Sequence, residues 1–91
     1  MKRANCERHP MPPRIKQTVI QMAGDMGYDP ADIVSTSRAK PLFIARSKIM
    51  KHLRDEIVLA DGSRPTLALI GRWFGRDHSS VHHAIEKARA L

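Results

Sequence analysis

Apolar side chains recur at three- and four-residue intervals along most of this chain, the repeat of helices that each bury one stripe. From Arg14 to about Gly27 the stripe is Ile15, Val19, Met22, Ala23 and Met26, and Gly27 supplies a stop. Asp29-Pro30-Ala31-Asp32 sets a capping carboxylate before a proline at the first helical position, which predicts a short helix to about Ser35, seated by Tyr28 and Ile33. After Pro41 a long helix is predicted from about Phe43 to Val58, with Phe43, Ile49, Met50, Leu53 and Ile57 on one face. Residues 60–65 carry turn chemistry, and Ser63 or Arg64 before Pro65 opens a fourth helix with the inner stripe Leu67, Ile70, Gly71 and Phe74. Gly75 ends it, and Asp77 caps a fifth helix in which Val81, Ala84, Ile85, Ala88 and Leu91 recur. No internal repeat and no alternating strand is legible. The predicted fold is all-α, a domain of about five helices over residues 14–91. Residues 1–13, with Pro10, Pro12 and Pro13 and no spaced apolar side chains, read as a flexible basic tail.

Charge narrows the class of partner. Sixteen Lys and Arg against nine Asp and Glu give +7 over 91 residues, and a pI near 10.3 points to a polyanion. Nucleic acid leads and an acidic membrane surface trails. Six basic residues lie between Arg38 and Arg54 with no acidic one, whereas Asp55 and Glu56 follow at once, so the charge forms a patch. The lone Cys6 cannot close an internal disulfide, which fits a reducing compartment. No apolar run approaches the roughly 18 residues of a membrane span, nor is there a signal-peptide centre. A soluble, cytoplasmic, nucleoid-associated protein is expected. The length excludes a multi-domain ATPase.

The pattern around Gly75 carries the chemistry. A short helix, a glycine turn and a second amphipathic helix describe a helix-turn-helix, whose second helix offers its N-terminal residues to the major groove. Here these are Arg76, Asp77, His78, Ser79 and Ser80. Arg76 can donate twice to guanine, Asp77 can accept from a base amino group, and His78 and Ser79 can reach base edges, while Ser80 and His83 suit phosphate. The helix N-terminus adds unsatisfied N–H groups and partial positive charge.

Residues 70–84, Ile-Gly-Arg-Trp-Phe-Gly-Arg-Asp-His-Ser-Ser-Val-His-His-Ala, resemble the signature of the C-terminal DNA-binding domain, domain IV, of the bacterial chromosomal replication initiator DnaA. The resemblance runs upstream through Asp32-Ile33-Val34-Ser35 and covers roughly residues 14–91. It implies a Trp-repressor-like helix-turn-helix that binds short asymmetric duplex sites. It also implies base contacts from Arg76, Asp77, His78 and Ser79 in the major groove, and from Arg38 in the minor groove, with Lys40 competing for that role. It implies phosphate contacts for Ser80 and His83, with Leu67 beside the backbone, and for Arg46 or Lys48, while the basic patch adds Lys40, Lys51 and Arg54 as phosphate contacts. The chain departs from the family pattern in several places. Two motif threonines are serines, one glycine of a pair remains as Gly75, Ala68 replaces a proline, the loop 58–65 is long, and Asp55 stands where a phosphate-binding lysine is expected. No phosphate-cradling Gly-rich loop followed by Lys and Ser or Thr is present, so no ATPase is expected.

Plainer readings stand beside these. The basic run also has the plainer reading of a solvated helix face, which ranks below the DNA-contact reading because a DNA-reading motif is its neighbour and acidic residues are absent from it. His78 and His82 lie four apart, as zinc ligands can, but the only other metal-type pair, Cys6 and His9, is in the tail, so no metal and no cofactor is expected. Asp77 serves as N-cap, base reader or both. Phe74 is assigned to the core, and Trp73 either to the core or to a protein contact. Neighbours on a first helical turn diverge by about 100°, so Asp77, His78 and Ser79 cannot form a catalytic relay. The leading expectation is sequence-specific duplex DNA binding at DnaA-box-like sites, regulating replication initiation or transcription. The alternative is a module that binds the initiator or its regulators without reading DNA.

Overall fold

The computed structural model describes residues 10–35 and 39–90, and it is all-α, with no strand among those residues. The element order is α1 (Pro13–Asp25), α2 (Pro30–Ile33), α3 (Lys40–Glu56), α4 (Leu67–Phe74) and α5 (His78–Ala90). Of the segment read as a tail, residues 1–9 lie outside the described residues, as do Arg38 and Leu91, and Met11 packs against the core.

Each helix starts at a first-turn proline, a capping side chain or both. Pro13 opens α1 because a first-turn proline forfeits no intrahelical hydrogen bond. The Asp29 carboxylate accepts from Ala31 N–H at 2.9 Å and Pro30 begins α2, as predicted, although α2 ends at Ile33, before Ser35. Pro41 sits inside the first turn of α3, which therefore begins at Lys40, earlier than the sequence suggested. The opening of α4 differs for a related reason: the Thr66 hydroxyl accepts from Leu69 N–H at 3.1 Å, so Thr66 is the cap in place of Ser63 or Arg64.

One core joins all five helices. It contains Ile15, Val19 and Ala23 of α1, Ile33 of α2, Ala45, Ile49, Met50 and Leu53 of α3, Ile70, Trp73 and Phe74 of α4, and Val81, Ala84 and Ile85 of α5. Both aromatic residues of α4 are thus buried. Phe43, Ile57 and Leu67 flank the cluster, half-buried.

The arrangement of α3 and α5 positions the rest. α5 packs most extensively on α3, then on α4. Arg46 of α3 shares a groove with Ser79, Ser80 and His83 of α5, while Asp55, farther along α3, bonds Arg89, farther along α5. Helices α3 and α5 therefore run side by side in the same sense, and both N-termini face one end of the domain.

Candidate nucleic-acid interface

The end where α3 and α5 begin is built around a sharp turn. Gly75 closes α4 in the left-handed region, φ 69° and ψ 35°, where a side chain would be strained. Arg76 N–H then folds back onto the Gly71 carbonyl at 2.8 Å. Asp77 follows, and its carboxylate accepts from Ser80 N–H at 3.2 Å, the N-cap geometry that starts α5. Hydrogen bonds from the Ser80 hydroxyl and backbone N–H, with the His78 charge nearby, hold the Asp77 carboxyl below its ordinary range. It stays an anion and a hydrogen-bond acceptor near neutral pH.

Asp77, His78, Ser79, Ser80 and His83 are all exposed on this first part of α5. Their side chains are acceptors and donors with no apolar neighbour of comparable exposure, the chemistry that suits base edges and phosphate oxygens. Beside them a groove of about 480 Å³ opens between α5 and α3, lined by Phe43, Arg46, Met50, Arg76, Ser79, Ser80 and His83.

The arginines are placed differently from their sequence reading. Arg46, expected at phosphate, is buried at 3% exposure. Its Nε donates to Ile33 O at 2.6 Å, and its Nη2 reaches Ser35 O at 3.3 Å and Asp32 O at 3.5 Å. Burial, and then the charge of Arg76, bring its pKa down to about 10, so it remains a cation at neutral pH. Its guanidinium is committed to the exit of α2, which is a structural role in place of the expected surface contact. Arg76 is half-buried and donates from Nη2 to Ser35 O at 2.9 Å. This turn is thereby fastened to the chain leaving α2, with Asp77, His78 and Ser79 as exposed polar groups beside it.

The basic run also disperses in three dimensions. Lys40, at the start of α3, and Lys48 are exposed. Lys51 pairs with Asp55 at 3.7 Å, and Arg54 donates to Pro65 O at 3.1 Å, both toward the far end of the helix. Asp55 also binds Arg89 at 2.6 Å, and its backbone carbonyl accepts from Arg64. Leu67 is half-buried at the first turn of α4. The interface candidates brought together at one end are thus Lys40, Arg76, Asp77, His78, Ser79, Ser80 and His83. Arg38, named for the minor groove, lies outside the described residues. So do Cys6 and His9, and among the described residues no three His, Cys, Asp or Glu side chains cluster as a metal site would need. No helix among the described residues is long and apolar enough to cross a membrane.

Two residues of this end have roles that their sequence readings, Ser35 as a helix end and Gly71 as a member of an apolar stripe, did not include. Ser35 acts through its carbonyl, which no side-chain pattern announces. Gly71 acts through its lack of a side chain, and the available signal was a glycine inside an otherwise apolar helical stripe.

In class, this is a small all-α domain in which α3 and α5 present their N-termini, with polar and basic side chains, at one end. Among curated proteins it is similar to a replication initiator: the chain is 34% identical over 80 residues to the chromosomal replication initiator protein DnaA of Deinococcus radiodurans. The aligned stretch is 86% of this chain and 16% of that protein, so the chain spans about a sixth of the length of the curated relative it matches. A helical domain of this size, matched to a small part of the initiator, is consistent with a domain like the initiator's C-terminal one. No family model matches the chain. No solved structure matches it.

Proposed function

We propose that this domain binds duplex DNA with sequence preference, inserting the first turn of α5 into the major groove, and that it regulates replication initiation or transcription from such sites without catalysing a reaction. The observation that carries this reading is the shared polarity of α3 and α5. Two helix N-termini at one end sum their partial positive charges, and the exposed side chains there are Lys40, Asp77, His78, Ser79, Ser80 and His83. In this assignment Asp77, His78 and Ser79 face base edges while Ser80, His83, Lys40 and Lys48 hold phosphates. Similarity to a replication initiator supports DNA as the partner.

The test is selection of binding sites from random duplexes at physiological salt. Enrichment of a common motif, with binding that falls steeply as salt rises, is the expected result. Recovery of no motif would overturn the sequence preference.

A second reading has one observation in its favour. An apolar groove of about 420 Å³ lined by Met11, Val19, Ile20, Val34 and Trp73 opens between α1, α2 and α4, with Ile20 exposed at its edge. A protein partner seated there would make the domain an adaptor for the initiator or its regulators. Capture of the initiator by a variant that has lost duplex binding would favour that reading.

A further inference from the structure

The groove between α3 and α5 has linings of two kinds. Phe43 and Met50 of α3 and Ala84 of α5 are apolar, whereas Arg46 and Arg76 are cationic. Arg46, Met50 and Ala84 are buried and so lie at its floor, while Ser79, Ser80 and His83 are exposed and form its mouth. Its volume, about 480 Å³, lies in the range of pockets that hold small molecules. The two guanidinium groups meet at one oxygen, Arg46 donating to Ser35 O at 3.3 Å and Arg76 at 2.9 Å. A carbonyl is a neutral acceptor, so these bonds satisfy N–H groups and leave both positive charges in place. Burial, and then the charge of Arg76, draws the Arg46 pKa down to about 10, as expected for two cations held close in a dehydrated place. No carboxylate is among the described residues that line the groove. An anion there is attracted to both cations at once, and the planar guanidinium matches the two oxygens of a carboxylate. A DNA phosphate answers the cationic lining only, whereas Phe43, Met50 and Ala84 call for hydrocarbon to cover them.

We propose that this groove binds a small organic carboxylate with an aromatic or branched aliphatic body, the carboxylate toward Arg46 and Arg76 and the body against Phe43, Met50 and Ala84. A monoanion suits the groove better than a phosphate dianion, because each added charge must be stripped of water to lie beside apolar side chains. A ligand that fills the groove reaches its mouth at Ser79, Ser80 and His83, the residues assigned above to base edges and phosphates. Ligand and duplex therefore compete, and the domain releases DNA when the carboxylate is abundant. That competition rests on the DNA-binding reading, whereas the carboxylate site itself does not.

Phenylacetate is the probe, with phenylacetamide as its uncharged counterpart and acetate as the anion without a ring. Each is titrated into the free protein at constant ionic strength and followed by NMR of the Met50 and Ala84 methyl groups and the Ser80 amide. Phenylacetate should saturate these shifts, half-way in the millimolar range that suits so small a ligand. It should bind about tenfold more tightly than phenylacetamide or acetate. Arg76→Gln should weaken phenylacetate about tenfold by removing one cation. Phe43→Ser, at a half-buried position, should weaken it by removing apolar lining, and it decides the question should Arg76→Gln fail to fold. No saturation by phenylacetate, equal binding of acetate or phenylacetamide, or folded variants with the parent affinity each overturn the site. Anisotropy titrations then measure the duplex recovered by selection. Its apparent Kd should rise about twofold at the phenylacetate concentration that half-saturates the free protein. An unchanged Kd at saturating phenylacetate overturns the competition and leaves both the site and the DNA-binding reading intact. A parent that binds phenylacetate and no duplex overturns that reading and leaves the site.

Discussion

Gly71 of α4 lies directly under the carbonyl of Arg76, so that a Cβ at position 71 would fall inside the van der Waals shell of that oxygen and within 3.4 Å of its carbon. The same pair is joined by the hydrogen bond from Arg76 N–H to Gly71 O. The turn that presents α5 is therefore pressed onto the middle of α4, and only glycine admits the approach. Gly71→Ala forces either α4 or the turn to shift. The overpacking should cost roughly 1–3 kcal/mol, against a gain of about 0.5–1 kcal/mol from the better helix propensity of alanine. Urea unfolding should show a net loss of stability, and the displaced turn should weaken duplex binding further than the stability change explains. An unchanged midpoint would mean that the turn yields without cost.

That relationship marks where sequence reading reached its limit. The stripes of Ile15, Val19 and Ala23, or of Val81, Ala84 and Ile85, follow from helical periodicity alone, and the core holds them. Asp29 and Asp77 were legible as caps because capping depends on one side chain and its next few neighbours. The start of α3 was missed by a few residues because proline is compatible with a first turn as well as with the approach to one. The fates of Arg46, Lys51 and Arg54 were not legible at all. Charge in sequence is a count, whereas its availability depends on which carbonyls and carboxylates the fold brings near: Ile33 and Ser35 for Arg46, Asp55 for Lys51, Pro65 for Arg54.

Acid should weaken the start of α5. The Asp77 carboxyl is held below its ordinary value near 3.8 by Ser80 and, less strongly, by His78. Because the folded value lies below the unfolded one, the stabilisation is complete above the unfolded value and is lost as pH falls through the folded one. Asp77→Asn keeps an acceptor oxygen and does not titrate. The melting temperature of the parent relative to Asp77→Asn should therefore be constant from about pH 7 to pH 5 and decline below it. A constant difference down to pH 2 would remove the ionised cap from the account of α5.

Reading and holding should separate by substitution. His78→Ala should cost roughly 1–3 kcal/mol on the preferred duplex and relax base choice at one position of the site. Lys48→Ala should weaken all duplexes alike and reduce the slope of log affinity against log salt by about one. Lys51→Ala should do less than Lys48→Ala, since Asp55 already neutralises that ammonium. Anisotropy titrations at several salt concentrations distinguish the three. Equal losses on preferred and scrambled duplexes for His78→Ala would remove it from the base-reading set.

Asp55 offers the complementary experiment, because its carboxylate gathers Lys51 at 3.7 Å and Arg89 at 2.6 Å at the far end of α3 and α5. All three side chains are substantially exposed, at 30% for Asp55, 39% for Lys51 and 44% for Arg89. Exposed pairs of this kind contribute about 1 kcal/mol or less, so Asp55→Asn should barely change the melting temperature. Electrostatically it does much more. The net charge rises by one from +7, and two side-chain cations lose their counter-charge. Affinity for any duplex should then rise, with the increase greatest at low salt and gone where the Debye length shrinks to about 3 Å, near 1 M. Preference among sequences should stay as it was, because the groups released lie along the helices and away from the turn at Asp77. If low-salt affinity does not rise, the DNA backbone does not track toward this end of α3, and phosphate contacts are confined to the end where the two helices begin.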